Sequence, residues 1–176
     1  ENNIWVGTER GVFKITEGKI KMISKYNDMP FLRTGGVTQL PSGALYINVA
    51  GRTSLYNYHL DEIKPVNLSN PLLKLPWEAF HMHADHDGNV WLASAPSFRI
   101  SPEGKEFTFG QRESIRYVYE DSTDQVWFGV SSRGIGYLDG DSLKYLKFGD
   151  FSFSGHIFIK IFNRNWQANY VSTNQL

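Results

Sequence analysis

One short motif repeats along the chain at nearly regular intervals, and this repeat constrains the possible fold more than any other feature. In residues 4–8, 90–94 and 126–130, a tryptophan lies between apolar residues and is followed two positions later by a small residue. Residues 45–49 and 169–173 are weaker copies. The central aromatics, which we call the landmark residues, are Trp5, Tyr46, Trp91, Trp127 and Tyr170. Their spacings of 41, 45, 36 and 43 residues are close to the roughly 40–45 residues of one β-propeller blade.

The residues before each landmark repeat as well. Nine positions earlier, an apolar residue recurs at Val37, Met82, Val118 and Ile161. In the two clearest copies, Asp85 and Asp121 lie six positions before the landmark, and three positions before it Gly88 is matched by Asp124. An aspartate followed by glycine three residues later is typical of a type I turn, because the carboxylate bonds to the local backbone. The pattern in each unit therefore predicts a strand, then a tight turn, and then the strand that contains the landmark residue.

Two further strand-like runs follow each landmark strand, separated by turn residues such as Glu17-Gly18 and Asp139-Gly140. Four short strands with tight turns predict an antiparallel meander. No window long enough for a helix shows the 3.6-residue period. We therefore predict an all-β fold, a β-propeller-type array of four-stranded antiparallel blades.

The landmark strands have apolar residues on both sides of the aromatic, whereas polar and apolar residues alternate in a half-exposed strand. A propeller blade is covered on both faces by its neighbours, and so it needs such strands. Small residues two positions after the landmark, such as Gly7 and Ala93, allow neighbouring strands or blades to approach closely. Asn48 departs from this pattern, which makes the second unit the least regular of the full units.

The length of 176 residues predicts one domain, a partial propeller over 1–176 with approximate units 1–32, 33–73, 74–110, 111–150 and an incomplete 151–176. The charge is balanced, with 18 Lys and Arg against 18 Asp and Glu, which argues against nucleic-acid binding because a duplex-binding surface is basic. With 41% hydrophobic and 20% charged residues, the chain is not expected to be disordered. We expect no membrane segment within the chain and no signal peptide at its first residues. The sequence contains no cysteine.

These units resemble the two-component regulator propeller repeat. That repeat has an Ile-x-Glu-Asp segment before the turn, then Gly-x-apolar-Trp-apolar-Gly-Thr, and then Gly-apolar-aromatic. Residues 115–129 match this pattern closely, with Asp124 in place of the glycine. Residues 85–94 match next best, and residues 3–13 match the second half of a unit. The resemblance extends over nearly the whole chain.

The resemblance implies the extracytoplasmic sensor region of a bacterial hybrid two-component regulator, in which propellers precede a membrane helix and a histidine kinase. It therefore implies a periplasmic or extracytoplasmic, non-catalytic segment with a small-molecule ligand, and many such sensors recognise breakdown products of polysaccharides. Propellers of this family have about seven blades, within the range known for propellers, whereas the sequence supplies about four. We therefore expect a portion of a larger ring, whose open faces would pack against neighbouring blades or self-associate.

The segment 81–86, which includes His86, is the most metal-like cluster in the sequence, and within it His81, His83 and Asp85 are at alternating positions. On a strand these residues alternate onto one face, and imidazole and carboxylate groups are ligands of zinc and other transition metals. The alternative is that they belong to the first strand of a unit and its turn, since the equivalent of His81 is Gly36 or Tyr117 in other units. We predict no metal and no cofactor, and we treat His81 and His83 as candidates for lining a ligand-binding channel.

Trp77 is a further candidate for ligand binding. It lies outside the landmark positions and follows Pro76 in a connection between units, where it could stack on a sugar or pack beneath a loop. No Gly-x-Ser-x-Gly motif occurs, and we predict no catalytic residues. Two alternative functions stay open. One is a propeller enzyme similar to the streptogramin lyases, whose metal-binding carboxylate and catalytic histidine have no residue-by-residue match here, and the other is a protein-interaction scaffold.

Overall fold

The computed structural model describes residues 3–31, 33–49, 54–71, 79–131 and 133–146. These residues are all-β, and they form no helix that could span a membrane. The first sheet consists of β1 (Ile4–Thr8), β2 (Gly11–Thr16) and β3 (Lys19–Ile23), and a hairpin of β4 (Lys25–Tyr26) and β5 (Met29–Pro30) follows it. The second sheet consists of β6 (Thr34–Gln39), β7 (Leu45–Val49), β8 (Ser54–His59) and β9 (Glu62–Pro65). The third consists of β10 (His81–Ala84), β11 (Val90–Ala93), β12 (Ser97–Ile100) and β13 (Glu106–Phe109). The fourth consists of β14 (Ile115–Glu120), β15 (Val126–Val130), β16 (Gly134–Asp139) and β17 (Ser142–Tyr145).

Each sheet is an antiparallel meander in which every strand pairs with the next one along the chain. The landmark residue lies on the second strand of each four-stranded sheet. Trp91, for example, is paired with His83 on β10 and with Arg99 on β12. Trp127 has the same place in the fourth sheet, paired with Tyr119 on β14. The prediction of an all-β fold with four-stranded antiparallel sheets is confirmed.

The turn between the first and second strands has the same backbone conformation in all three four-stranded sheets. Gly43, Gly88 and Asp124 occupy its last position with φ values of +85°, +85° and +65°. The backbone N–H of Gly88 donates to the carbonyl of Asp85 at 3.0 Å, and that of Asp124 donates to the carbonyl of Asp121 at 3.1 Å. Glycine adopts a left-handed conformation freely and aspartate tolerates it, which explains why both residue types occur at this position.

Neighbouring sheets pack against each other, and a hydrophobic cluster fills each of the three gaps between the four described sheets. The landmark residue points to the following sheet. The ring centroids of Trp91 and Phe128 are 5.6 Å apart, as are those of Trp5 and Tyr58. The residues on either side of a landmark point the other way, and Val90 accordingly belongs to the cluster between the second and third sheets. This packing on both faces is the reason for the apolar residues at three consecutive positions.

Asn48 is fully buried in the second sheet, although its position favours a small residue. Its side-chain Oδ1 accepts a hydrogen bond from the backbone N–H of Ala79, which lies 3.1 Å away just before β10. The corresponding residue of the first sheet is Gly7, where an added Cβ would lie 3.1 Å from the Thr34 side chain on β6. Where Gly7 allows two sheets to approach closely, Asn48 instead forms a hydrogen bond to the residue that precedes the third sheet. The second sheet still has four strands.

One face of the first sheet is apolar and exposed. Two rows of side chains cross its three strands on this face, Ile4–Ile15–Ile20 and Val6–Phe13–Met22. Ile4 is 61% exposed and Ile20 is 68% exposed. In the other three sheets the residues equivalent to Ile4 and Val6 are buried against the preceding sheet. Within the described residues, no sheet covers this face.

Candidate functional site

Four aromatic or imidazole side chains lie together on two neighbouring first strands. His81 and His83 alternate onto one face of β10, as the sequence predicts. Tyr117 and Tyr119 have the same positions on β14, ten and eight residues before the landmark. The His81 and Tyr117 rings are stacked, with centroids 4.1 Å apart and planes at 28°, and those of His83 and Tyr119 are 6.3 Å apart at 37°. We call these four residues the ring cluster.

Burial disfavours the protonated form of both histidines of the ring cluster. Burial, with a smaller contribution from His83, lowers the pKa of His81 to about 4. Burial also lowers the pKa of His83, although Glu120 and Asp85 oppose this effect. Among the described residues, the buried Nδ1 of His81 and the buried Nε2 of His83 have no hydrogen-bond partner. Since buried polar groups are normally paired, these two ring nitrogens are the unsatisfied groups of the cluster.

Asp85 does not join the two histidines as a ligand. Its Oδ2 accepts hydrogen bonds from the Trp91 indole and the Asn89 amide, both at 2.8 Å, and its Oδ1 accepts one from the Asn89 backbone at 2.7 Å. The carboxylate is therefore engaged within its own turn, which is the structural role considered for it from the sequence. Trp77, the other candidate, lies outside the described residues.

A second group of polar side chains lies where the turns of the third and fourth sheets meet. His86 Nδ1 is 2.7 Å from Glu120 Oε1 and 3.5 Å from Asp124 Oδ1. Glu120 Oε2 also accepts a hydrogen bond from the His86 backbone N–H at 2.9 Å. The hydrogen bond to Glu120 raises the pKa of His86, against a smaller effect of desolvation. We call His86, Glu120 and Asp124 the turn cluster.

Sequence reasoning included His86 in the segment 81–86 but did not connect it with Glu120 and Asp124, and it found only half of the ring cluster. The signal for Tyr117 and Tyr119 was present, because they are the residues that the repeat aligns with His81 and His83. Glu120 and His86 are not at equivalent positions of their units, and so the repeat does not relate them. Their contact depends on how two neighbouring sheets are stacked, which the repeat spacing alone does not specify.

An open groove runs past the turn cluster between the second and third sheets. Its volume is about 490 Å³, and Gln39, Gly43 and Ala84 line it together with His86 and Glu120. A neighbouring cleft of about 370 Å³ extends outward along the two sheets. The turn cluster is therefore accessible to a small solute.

Comparison with models of known families gives no match for this chain, and comparison with curated protein sequences gives none either. Solved structures are similar to it. The extracellular domain of a hybrid two-component system from B. thetaiotaomicron has a TM-score of 0.69 at 15% identity, covering 89% of this chain and 23% of that chain. The extracellular domain of another such system from the same organism has a TM-score of 0.57 at 23% identity, covering 76% and 20%. Virginiamycin B lyase from Staphylococcus aureus has a TM-score of 0.63 at 17% identity, covering 79% and 49%.

At these identities the similarity shows the fold, and it identifies the described sheets as blades of a β-propeller. The chain spans about half the length of the lyase and about a quarter or less of the length of the sensor domains. It therefore corresponds to part of a propeller, as the sequence predicts.

Proposed function

We propose that this chain is a ligand-binding part of a bacterial sensor propeller of the two-component regulator propeller repeat family. The repeated landmark strands and the similarity to extracellular domains of two-component systems support this proposal. The same similarity favours a periplasmic or extracytoplasmic location. In this proposal the chain detects a small molecule, and a histidine kinase elsewhere in the longer protein produces the signal.

The ring cluster is the ligand site in this proposal, and the unpaired ring nitrogen of His81 is the observation that carries it. A buried imidazole without a hydrogen-bond partner is costly, by about 1–3 kcal/mol. A ligand hydroxyl that reaches this nitrogen after a small side-chain movement would remove that cost. The stacked Tyr117 holds the imidazole in one orientation, which favours recognition of a rigid ligand. Trp77 stays a candidate for ligand binding from the sequence alone.

The chemistry of the ring cluster favours a carbohydrate ligand. Tyrosine and histidine rings offer apolar faces that pack against the C–H face of a sugar. Neutral imidazole has one donor and one acceptor nitrogen, and the phenol of Tyr117 is also a donor and an acceptor. This combination complements the hydroxyl groups of an oligosaccharide, which are themselves donors and acceptors.

The residues of the ring cluster are better suited to binding a ligand than to catalysis. Because the pKa of His81 is about 4, its imidazole is a weak base at neutral pH and is far from the value that suits proton transfer there. A lyase similar to virginiamycin B lyase is the alternative. We favour the sensor because burial lowers the pKa of both histidines of the ring cluster, which makes them weaker bases at neutral pH.

The proposal also includes neighbouring blades as partners. The exposed rows of the first sheet, Ile4–Ile15–Ile20 and Val6–Phe13–Met22, have the positions that are buried between sheets elsewhere in the chain. We propose that another blade of the longer protein covers this face. In the isolated chain, a second copy would cover it.

Titration calorimetry of the longer protein with a panel of oligosaccharides tests the ligand site. We expect saturable binding of at least one saccharide and at least tenfold weaker binding by His81→Phe, which keeps a ring against Tyr117 and removes both ring nitrogens. His59→Phe is the matched control, because His59 is an exposed histidine on β8. Folded protein that binds no saccharide, or a His81→Phe variant that binds as tightly as the parent, would contradict the proposal.

A further inference from the structure

We propose that the turn cluster of His86, Glu120 and Asp124 binds one divalent transition-metal ion of the zinc class, with His83 as a fourth ligand. This inference goes beyond the proposed sensor function and does not depend on it. The two histidines come from the third sheet and the two carboxylates from the fourth sheet. A bound ion would therefore link two neighbouring blades.

The geometry of the three turn-cluster residues suits a single ion. One ligand atom from each of them lies within 4.8 Å of the others. The closest distances are 2.7 Å from His86 Nδ1 to Glu120 Oε1 and 3.5 Å from the same nitrogen to Asp124 Oδ1. In a tetrahedral zinc site with bonds of about 2.0–2.2 Å, neighbouring ligand atoms are roughly 3.3 Å apart. The two distances from His86 Nδ1 are within roughly 0.6 Å of that spacing, and His86 and Asp124 are exposed while Glu120 is partly buried.

The His86 ring has the surroundings of a metal-bound histidine. Its Nδ1 faces Glu120 and Asp124, while its Nε2 lies 3.2 Å from the Asp87 carboxylate. A metal-bound histidine almost always donates its other ring N–H to a carboxylate, a carbonyl or water. Without an ion, His86 needs a proton on both nitrogens to bond to carboxylates on both sides. A metal ion at Nδ1 would take the place of one of these protons.

His83 supplies an independent observation that points to the same place. Its buried Nε2 has no hydrogen-bond partner and lies 3.9 Å from Glu120 Oε2. That distance is too long for a hydrogen bond but is only slightly longer than the spacing of two zinc ligands. An ion between the two atoms would satisfy a nitrogen that is otherwise unpaired.

The charge and the atom types select the class of ion. Two carboxylates with two neutral imidazoles carry a charge of about −2, which a divalent cation neutralises. In the part of the chain that the structure describes, the ion pairs of Glu120 and Asp124 involve histidines rather than lysine or arginine. Imidazole nitrogen suits zinc, copper and nickel, whereas calcium and magnesium prefer ligand sets made of oxygen alone.

The repeat provides a variant that removes one ligand while keeping the turn. Asp124 has a φ of +65° at a position that Gly43 and Gly88 occupy in the other sheets. Asp124→Gly therefore restores the residue that this turn has elsewhere. Asp28→Gly is the matched control, because Asp28 also has a positive φ, of +63°, and its carboxylate pairs with Lys25 in the β4–β5 hairpin.

Calorimetric titration of zinc chloride into protein that has been treated with a chelator and dialysed tests the site. We expect one ion per chain and at least tenfold weaker binding by both Asp124→Gly and Glu120→Gln, with unchanged binding by Asp28→Gly. Zinc should also raise the melting temperature of the parent more than that of Asp124→Gly, because ligands stabilise the state that binds them. Calcium and magnesium chloride should bind much more weakly. The proposal is overturned if the folded parent shows no saturable zinc binding, or if both variants bind zinc as tightly as the parent.

Discussion

Trp127 donates its indole N–H to Asp121 Oδ2 at 2.6 Å, across the turn that joins the first and second strands of the fourth sheet. Trp91 and Asp85 form the same bond at 2.8 Å in the third sheet. In both cases the aspartate lies six residues before the tryptophan. The aspartate binds the indole N–H and also accepts hydrogen bonds from the backbone of its own turn. The repeated pair of residues is a unit that fixes the landmark ring to the turn.

The hydrogen bond from the Trp127 indole contributes to a low pKa of Asp121. Burial alone would raise the pKa of Asp121, but hydrogen bonds from Thr123, Trp127 and the backbone together lower it to about 2. The carboxylate therefore stays ionised and remains an acceptor over the whole range in which the protein is expected to function. Trp5 has no such partner among the described residues, where its buried indole nitrogen is unpaired.

Asp85→Ala is expected to destabilise the protein by about 1–3 kcal/mol, because it leaves the buried Trp91 indole N–H and the Asn89 backbone N–H without acceptors. Urea denaturation followed by tryptophan fluorescence measures this change. Asp87→Ala is the control, because Asp87 is an exposed residue of the same turn and its loss should change the free energy of unfolding by less than about 0.5 kcal/mol. Equal effects of the two substitutions would show that the bond to Trp91 has no special role.

Much of the fold could be predicted from the sequence because the repeat records which residues face a neighbouring sheet. Val90 and Leu92 are apolar and buried, and Trp91 between them is buried on the opposite face. The turn aspartates could also be placed from their spacing. Their bond to the indole could not, because a six-residue spacing specifies a turn but not the orientation of the tryptophan ring.

The candidate site could be predicted only in part. His81 and His83 were found because alternation along a strand places them on one face. The contact of His86 with Glu120 joins positions five and seven residues before their landmarks, in two different units. Only the stacking of the third sheet on the fourth brings these side chains together, and no pattern within a single unit contains that information.

The stability of the protein is expected to depend on the protonation of His81. Its pKa is lowered from the ordinary value of 6.5 to about 4 in the folded state, so the unfolded chain binds a proton between these pH values and the folded chain does not. The folded protein is therefore fully stable in this respect above about pH 6.5, and it loses stability as the pH falls towards 4 because protons bind to His81 of the unfolded chain but not to the buried ring. We expect urea denaturation at several pH values to show that the free energy of unfolding depends less on pH in this range for His81→Phe than for the parent. If His59→Phe reduces the dependence equally, the effect does not arise from burial of His81.

The exposed face of the first sheet is expected to cause self-association of the isolated chain. Ile20 and Met22 lie on this face and are 68% and 51% exposed. Replacing both by lysine should decrease the average mass measured by light scattering or sedimentation, because charged residues oppose the burial of a sheet face. Leu60→Lys is the control, since Leu60 is 84% exposed but lies in the turn between β8 and β9, away from this face. Association that persists in the double variant, or that Leu60→Lys decreases as much, would exclude this face as the contact.

Gly11 is expected to be indispensable, because β2 begins where the chain passes very close to the end of β3. Its φ is +124°, and an added Cβ would lie 2.3 Å from the carbonyl oxygen of Ile23. Gly18 also has a positive φ, of +75°, but an added Cβ would meet no atom within 4 Å. Gly18→Ala therefore carries only the conformational penalty of about 1–2 kcal/mol, whereas Gly11→Ala must also displace the backbone of β3. We expect urea denaturation to give a small loss of stability for Gly18→Ala and a much larger loss, or no folded protein, for Gly11→Ala. Similar losses for the two variants would mean that the close approach of β2 and β3 contributes little to the stability of the first sheet.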